Sequence, residues 1–176
     1  MLHLAPYFTR VYGVSQGDGD GYAMTEQADA LRVWFRMMRL STRIRNAMSS
    51  RLRGLDLSLP QCDVLTTLTE QEGISQQELA KRLYVTKGNI SGLIDRLTEA
   101  GFVERRTIDG DKRSHALYLT RAGHAMAQQG IAAQQAYVAE TFGRLEVPQL
   151  RDFDDLLKVT RGFVRAIALR DNPEEG

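Results

Sequence analysis

A short polar stretch stands out because its side chains can form hydrogen bonds with the edges of DNA bases. Its members are Thr86, Lys87, Asn89 and Ser91. Asparagine can bind adenine through two hydrogen bonds, and lysine can contact guanine or a phosphate. Two other interpretations stay open, because Thr86 can act only as a helix cap and Asn89 can be a solvated surface residue. These residue types at the start of a helix predict contacts in a major groove.

The segment just before this stretch offers a second kind of contact, to phosphate. Ser75 and Glu78 have the spacing of a capping box, which places Ser75 at the start of a short helix. A helix N-terminus presents free N–H groups that bind phosphate, and the Gln76 side chain can add a contact. We therefore expect Ser75 and Gln76 to contact a nucleic-acid backbone.

A charged turn further along the chain contains Asp111, Lys112 and Arg113. Arginine is attracted to the narrow minor groove of A·T-rich DNA, and a flanking lysine adds charge there. The competing interpretation of Lys112 and Arg113 is an ordinary solvated turn. A carboxylate beside phosphate is repelled, so Asp111 is expected to orient its neighbours rather than to bind DNA.

Two further arginines, Arg96 and Arg105, are candidate phosphate ligands. For Arg96 a second interpretation stays open, since Asp95 and Glu99 are close enough in the sequence to pair with it.

Helix capping signals and apolar spacing predict four helices that position the polar stretch. Their limits follow from the capping residues and are Thr25 to about Leu52, Ser58 to Gly73, Ser75 to Leu83, and Thr86 to Gly101. The third and fourth helices are joined by a tight turn and form a helix-turn-helix. Ile90, Leu93 and Leu97 of the fourth helix are expected to face the core.

The apolar period changes after Gly101, and a β-hairpin is predicted there. Its strands cover residues 102–106 and 116–119, with a tip loop over residues 107–114. Thr120 then opens a long helix that reaches about Leu145, and a last helix opens at Val147 and Pro148.

The order of these motifs resembles the multiple-antibiotic-resistance-regulator (MarR) family, from about residue 25 to residue 170. The segments that carry the resemblance are 76–83 (QQELAKRL), 89–97 (NISGLIDRL), 101–105 (GFVER), 111–113 (DKR) and 119–123 (LTRAG). It implies a mainly α-helical winged helix-turn-helix with a small β-hairpin wing. It also implies a dimeric bacterial transcription regulator, located in the cytoplasm, that is not an enzyme.

The resemblance also implies roles for residues of the wing. In the family the Asp-x-Arg motif, here Asp111 and Arg113, shapes the wing, and its arginine touches DNA. The chain departs from the family at Gly92, where many members carry a larger and often basic side chain. A glycine at this position permits close backbone approach instead.

Many members release DNA when a small molecule, such as a phenolic compound, or an oxidant acts on them. Trp34, Met38 and Ser41 are candidate ligand residues, because the family's crevice lies between the first helix and the DNA-binding lobe. Their helical spacing also fits ordinary core or dimer residues. Cys62 is a further candidate, as a ligand or redox residue near a helix N-terminus. It shares a face with Leu65, which favours burial instead.

The composition excludes several classes of protein. The chain has 176 residues and a formal charge of +1, with one cysteine and three histidines. An intramolecular disulfide is impossible, and no multi-ligand zinc site or other cofactor is expected. No apolar run approaches the roughly 18 residues of a membrane span, and no set of residues suggests catalysis. The net charge conceals a cluster of basic residues in the first helix, namely Arg32, Arg36, Arg39, Arg43, Arg45, Arg51 and Arg53.

The predicted domains are a flexible extension (1–23), a helical dimerisation region (24–56 with 121–170), a winged helix-turn-helix (57–120) and a polar tail (171–176). The long helices carry more apolar surface than the winged domain can cover, which favours a homodimer over a monomeric bundle. Two recognition helices would then read half-sites about 34 Å apart, in an inverted repeat of double-stranded DNA. The alternative function is a winged-helix module that binds another protein.

Overall fold

The computed structural model describes residues 26–108 and 111–171, with the side chains of residues 29–107 and 115–171. The chain divides into two units, residues 1–47 and 48–176. In its described part the first unit contains most of helix α1 (Glu26–Leu52). Arg36, Arg39 and Arg43 recur there at helical spacing and are all exposed, so α1 has one basic face.

The second unit contains five further helices and a small sheet. The helices are α2 (Leu59–Glu70), α3 (Gln76–Arg82), α4 (Lys87–Glu99), α5 (Arg121–Glu140) and α6 (Val147–Asp171). Short 3-10 turns over Arg53–Leu55 and Phe142–Arg144 follow α1 and α5. No helix in the described ranges is both long enough and apolar enough to cross a membrane.

The capping residues predicted from the sequence begin the helices of this unit. Ser58 and Gln61 form a reciprocal capping box at α2. At α3 the Ser75 hydroxyl accepts the N–H of Glu78 at 3.1 Å, but the Glu78 carboxylate accepts from Arg82. The predicted capping box at Ser75 is therefore only half formed. Thr120 caps α5 by accepting the N–H of Gly123 at 2.9 Å.

The end of α4 is fixed by Gly101, as predicted. Gly101 has a φ of +75°, and its N–H donates to the Thr98 carbonyl at 3.0 Å. The N–H of Phe102 donates to the Leu97 carbonyl at 2.9 Å. These two bonds form a Schellman motif, which turns the chain from α4 into the wing.

The wing is a three-stranded antiparallel sheet in the order β1 (Ile74–Ser75), β3 (Asp111–Leu119), β2 (Val103–Ile108). The prediction of a tip loop over residues 107–114 was wrong, because the ladder continues to the pair Ile108 and Asp111. A register irregularity between Thr107 and Ile108 accommodates the turn. Strand β1 was not predicted, since two residues carry no period.

Two predicted helix ends were also wrong. Helix α2 ends at Glu70, three residues before Gly73, because Gln71 is already extended. Helix α5 ends at Glu140 rather than near Leu145. Thr141 leaves the helical conformation there, and its hydroxyl donates to the Tyr137 carbonyl at 2.7 Å.

A single apolar core holds the second unit together. The predicted core residues of α4 are buried, and residues of α2, of the end of α1 and of the sheet complete the core. Its fully buried members include Leu52, Cys62, Leu65, Leu68, Leu79, Ile90, Ile94, Leu97 and Leu117. Because α4 is anchored by this face, its polar face points outward.

Helix α6 contrasts with the core, because none of its residues is buried in the single chain. Apolar residues recur along one seam of α6 and are at least 37% exposed at every position, namely Leu150, Phe153, Leu157, Val164 and Ile167. Phe153 packs against Phe142 with ring centroids 6.0 Å apart. The helix therefore presents an uncovered apolar face.

Candidate nucleic-acid interface

The N-termini of α3 and α4 and the base of the wing line one open cleft of about 350 Å³. Its walls combine cations with amide and hydroxyl groups, from Ser75, Gln76, Gln77, Lys87, Arg105, His115 and Leu117. Sequence reasoning expected Ser75, Gln76, Lys87 and Arg105 to act in one interface, and the fold brings them together. It missed His115, which the β2–β3 register carries to the cleft opposite Thr107.

Helix α4 presents its polar residues to solvent. Thr86, Lys87 and Asn89 are exposed, whereas Ile90 of the same turn is fully buried. The Thr86 hydroxyl accepts the N–H of Asn89 at 3.4 Å, so its predicted capping role is confirmed. Base contact by Thr86 and Asn89 remains a prediction.

Ser91 is held by the neighbouring helix. Its hydroxyl accepts a hydrogen bond from Gln76 Nε2 at 2.5 Å, and both side chains are half-buried. Gln76 is the first residue of α3, and Ser91 lies one turn into α4. The two helices of the helix-turn-helix are thus tied together at their outer edge.

The two candidate phosphate ligands differ in their surroundings. Arg105 forms an ion pair with Asp95, and 31% of its side chain is exposed. Asp95 is thus occupied, and Arg96 pairs with neither it nor Glu99, so the competing interpretation of Arg96 was wrong. The exposed Arg96 guanidinium lies 3.9 Å from the place where a Cβ on Gly92 would stand. The Arg96 guanidinium is therefore in van der Waals reach of a side chain at position 92.

The other basic residue of the wing strand is also occupied. Arg106 pairs with Glu104, and its guanidinium lies 4.1 Å from the centroid of the Tyr118 ring. Both interactions hold Arg106 against the sheet. The Arg106 guanidinium is thus already engaged within the sheet.

A family model described as the MarR family matches residues 57–115. An HTH-type transcriptional repressor from Mycobacterium tuberculosis is 31% identical over 131 residues, which are 74% of this chain and 94% of the repressor. The chain belongs to the MarR family. The resemblance found from the motifs is confirmed, as is the winged helix-turn-helix, and the chain is a transcription regulator.

Two solved MarR structures add ligands to this comparison. One is the same M. tuberculosis protein in complex with salicylic acid, 31% identical to this chain with a TM-score of 0.57. It is matched over 93% of its length and 72% of this chain. The other is a mutant MarR from E. coli in complex with operator DNA, 25% identical with a TM-score of 0.68. That match covers 99% of its chain and 78% of this one.

The tip of the MarR wing carries the motif Asp111, Lys112 and Arg113. Its backbone lies in strand β3, but these three side chains fall outside the described residues. Their predicted roles therefore remain predictions.

The arginines at the end of α1, Arg51 and Arg53, are engaged within the chain. Arg51 pairs with Glu140, and its guanidinium lies 5.1 Å from the centroid of the Tyr137 ring. The hydrogen bond from Arg51 lowers the pKa of Glu140, and the same bond raises the pKa of Arg51. Arg53 donates to the Ser50 hydroxyl at 2.8 Å. Helix α5 therefore already supplies the partner of Arg51.

The candidate ligand residues of α1 are accessible in the first unit. Trp34 is 49% exposed and Met38 39% exposed, and the Ser41 hydroxyl donates to the Met38 carbonyl at 2.9 Å. The Trp34 ring contacts the Phe35 ring edge-on at 4.7 Å. A ligand role for Trp34, Met38 and Ser41 remains a prediction.

Cys62 does not fit a ligand or sensor role. It is fully buried in the core of the second unit, among α2 residues that include Leu65. Burial, with a smaller effect of the Asp63 charge, raises the pKa of the Cys62 thiol to about 11. The thiolate that would react with an oxidant is disfavoured, so the alternative prediction of a core residue is confirmed.

Proposed function

We propose that this MarR-family chain is a transcriptional repressor that binds an inverted-repeat operator as a homodimer. A small aromatic ligand releases it from DNA. The observation that carries the proposal is the cleft in which two helix N-termini, Lys87 and Arg105 face solvent together. Helix N-termini and cations both attract phosphate, so the cleft is suited to a DNA backbone.

The contacts divide between backbone positioning and base reading. Ser75, Gln76, Arg96 and Arg105 are proposed to position the backbone. Thr86, Lys87, Asn89 and Ser91 are proposed to face the major groove. Lys112 and Arg113 reach the adjacent minor groove, with Asp111 as the orienting partner.

The homodimer is supported by the uncovered apolar face of α6. Leu157 is 45% exposed and Phe163 66% exposed in the single chain. Apolar faces of this extent are covered in stable proteins, and a two-fold copy is the commonest cover. We assign dimerisation to residues 24–56 and 121–170, and DNA binding to residues 57–120.

An aromatic ligand is favoured over an oxidant as the releasing signal. The M. tuberculosis relative is in complex with salicylic acid in a solved structure. Trp34, Met38 and Ser41 offer an aromatic ring, an adaptable thioether and a hydroxyl for such a molecule. The buried Cys62 thiol argues against the oxidant.

Fluorescence anisotropy with the gene's own upstream DNA tests the proposal. We expect binding that survives an excess of scrambled competitor at moderate salt and that salicylate weakens. Equal affinity for the upstream and scrambled DNA would instead favour a winged-helix module that binds another protein.

A further inference from the structure

A hydrogen bond joins the side chains of Gln76 and Ser91, two residues proposed to contact DNA. They lie 15 residues apart on the two helices of the helix-turn-helix, and Gln76 Nε2 donates to Ser91 Oγ at 2.5 Å. No other hydrogen bond of Ser91 is found among the described residues. The hydroxyl therefore keeps its own proton for a further acceptor.

The direction of this hydrogen bond determines which base edges Ser91 can recognise. A free serine hydroxyl can donate to a base or accept from one. Once Gln76 donates to the oxygen, the hydroxyl proton is the group left to face the groove. In the major groove guanine and thymine present acceptors, whereas cytosine presents only an amino donor.

We propose that Gln76 is a specificity-determining residue that fixes Ser91 as a hydrogen-bond donor to the operator. At one base pair of each half-site, Ser91 then selects guanine or thymine over cytosine. This inference rests on the proposed function, and it assigns Gln76 a role besides contact with the backbone. The half-burial of both side chains supports it, because water competes less with the bond that orients Ser91.

The test uses the full-length protein and the upstream fragment that it binds, with each base pair of a half-site replaced in turn by the other three. Affinities are measured by anisotropy for the unmodified protein, Gln76→Ala, Ser91→Ala and the double variant. We expect one position where guanine or thymine is preferred to cytosine by about fivefold, the size of one net hydrogen bond. Each single variant should abolish that preference, and the double variant should lose no more.

A variant that exchanges the donor and the acceptor of this hydrogen bond should change the base preference itself. In Gln76→Glu the carboxylate can only accept, so the Ser91 hydroxyl donates to it and turns lone pairs to the groove. We expect the preference at that position to move toward cytosine, while the preferences at other positions keep their order. Gln77→Ala, which changes the neighbouring side chain of the same cleft, is the matched control and should keep the guanine or thymine preference.

Three results would overturn the inference. The first is an unchanged preference in Gln76→Ala, and the second is a loss that is uniform across all positions, which would make Gln76 a backbone contact only. The third is a cytosine preference in the unmodified protein. Failure of the unmodified protein to distinguish upstream from scrambled DNA would overturn the proposed function as well, which separates the two claims. Thermal unfolding of each variant within a few degrees of the unmodified protein shows that folding is retained.

Discussion

Gly123 is the residue at which the start of α5 leaves no room for a side chain. A Cβ there would lie 1.9 Å from the carbonyl oxygen of Phe102 and 2.9 Å from its carbonyl carbon. That same oxygen accepts the N–H of Thr120 at 3.0 Å, so it is held in place. This close approach packs the first turn of α5 against Phe102, in the segment that follows α4.

We predict that Gly123→Ala lowers the free energy of unfolding by about 3 kcal/mol, because backbone must shift to admit the methyl group. Urea unfolding followed by circular dichroism measures this. Gly88→Ala is the matched control, since Gly88 also lies in the first turn of a helix and nothing lies within 4 Å of its Cβ position. A loss of equal size in both variants would contradict the packing explanation.

Cys62 provides a prediction about reactivity. With a thiol pKa of about 11, roughly one thiol in a thousand is ionised at pH 8, compared with about a quarter for a free cysteine. Because burial favours the neutral thiol, ionisation of Cys62 destabilises the folded protein. The contribution of the neutral thiol to stability is therefore lost as the pH rises from about 9 toward 11. We expect the folded protein to react with a disulfide reagent at pH 8 at least about a hundredfold more slowly than the protein in urea. Rapid labelling together with peroxide-induced release of DNA would restore the redox interpretation.

At the scale of elements, the wing is the part whose contribution to affinity is most directly testable. Arg113→Ala is expected to weaken operator binding about tenfold or more, a loss of roughly 1–3 kcal/mol, if its guanidinium enters the minor groove. Anisotropy at fixed salt measures the loss. Arg106→Ala is the control, because Arg106 is held by Glu104 and Tyr118 and should matter less. Equal affinities of Arg113→Ala and the unmodified protein would remove the wing from the mechanism.

Helix α6 carries the second prediction at this scale. Leu157 lies on the exposed apolar seam, and a charge there would be buried in a dimer without a partner. We expect Leu157→Glu to shift the protein to a monomer in light scattering and to weaken operator binding by at least about tenfold. Ala166→Glu introduces the same charge half a helical rotation away and is the control. An intact dimer in Leu157→Glu would place the interface elsewhere.

The sequence predicted the helix starts well because each depends on a local side chain. Ser58, Ser75, Thr86 and Thr120 all cap helices through bonds to residues three positions away. Elements that depend on distant pairing were missed or misjudged. Strand β1 exists only because Ile74 and Ser75 pair with Leu117 and Ala116, and nothing near them in the sequence signals this.

In the candidate site too, local features were predictable from the sequence, whereas contacts between distant residues were not. The types and positions of its side chains were predictable from the start of α4, but their partners were not. Arg105 pairs with Asp95 and Gln76 binds Ser91 across elements, so only the fold reveals which polar groups are occupied. His115 reaches the cleft through the strand register, which the misplaced tip loop obscured.

At the scale of the whole molecule, the formal charge of +1 conceals how the charges are used. Arg51, Arg105 and Arg106 are each paired with a carboxylate. Lys87 and Arg96 stay exposed on α4, and Arg36, Arg39 and Arg43 form an exposed basic face of α1. The interface is thus modestly basic, which suits sequence-specific binding better than indiscriminate attraction to DNA.

Two copies of this chain are proposed to read two half-sites on one face of DNA. The most direct measurement is operator affinity after insertion of about five base pairs between the half-sites, which rotates one by roughly half a turn. We expect a loss of at least about a hundredfold, substantially restored by an insertion of about ten base pairs, and two protomers bound to each unmodified operator. Unchanged affinity after the five-base-pair insertion would contradict it.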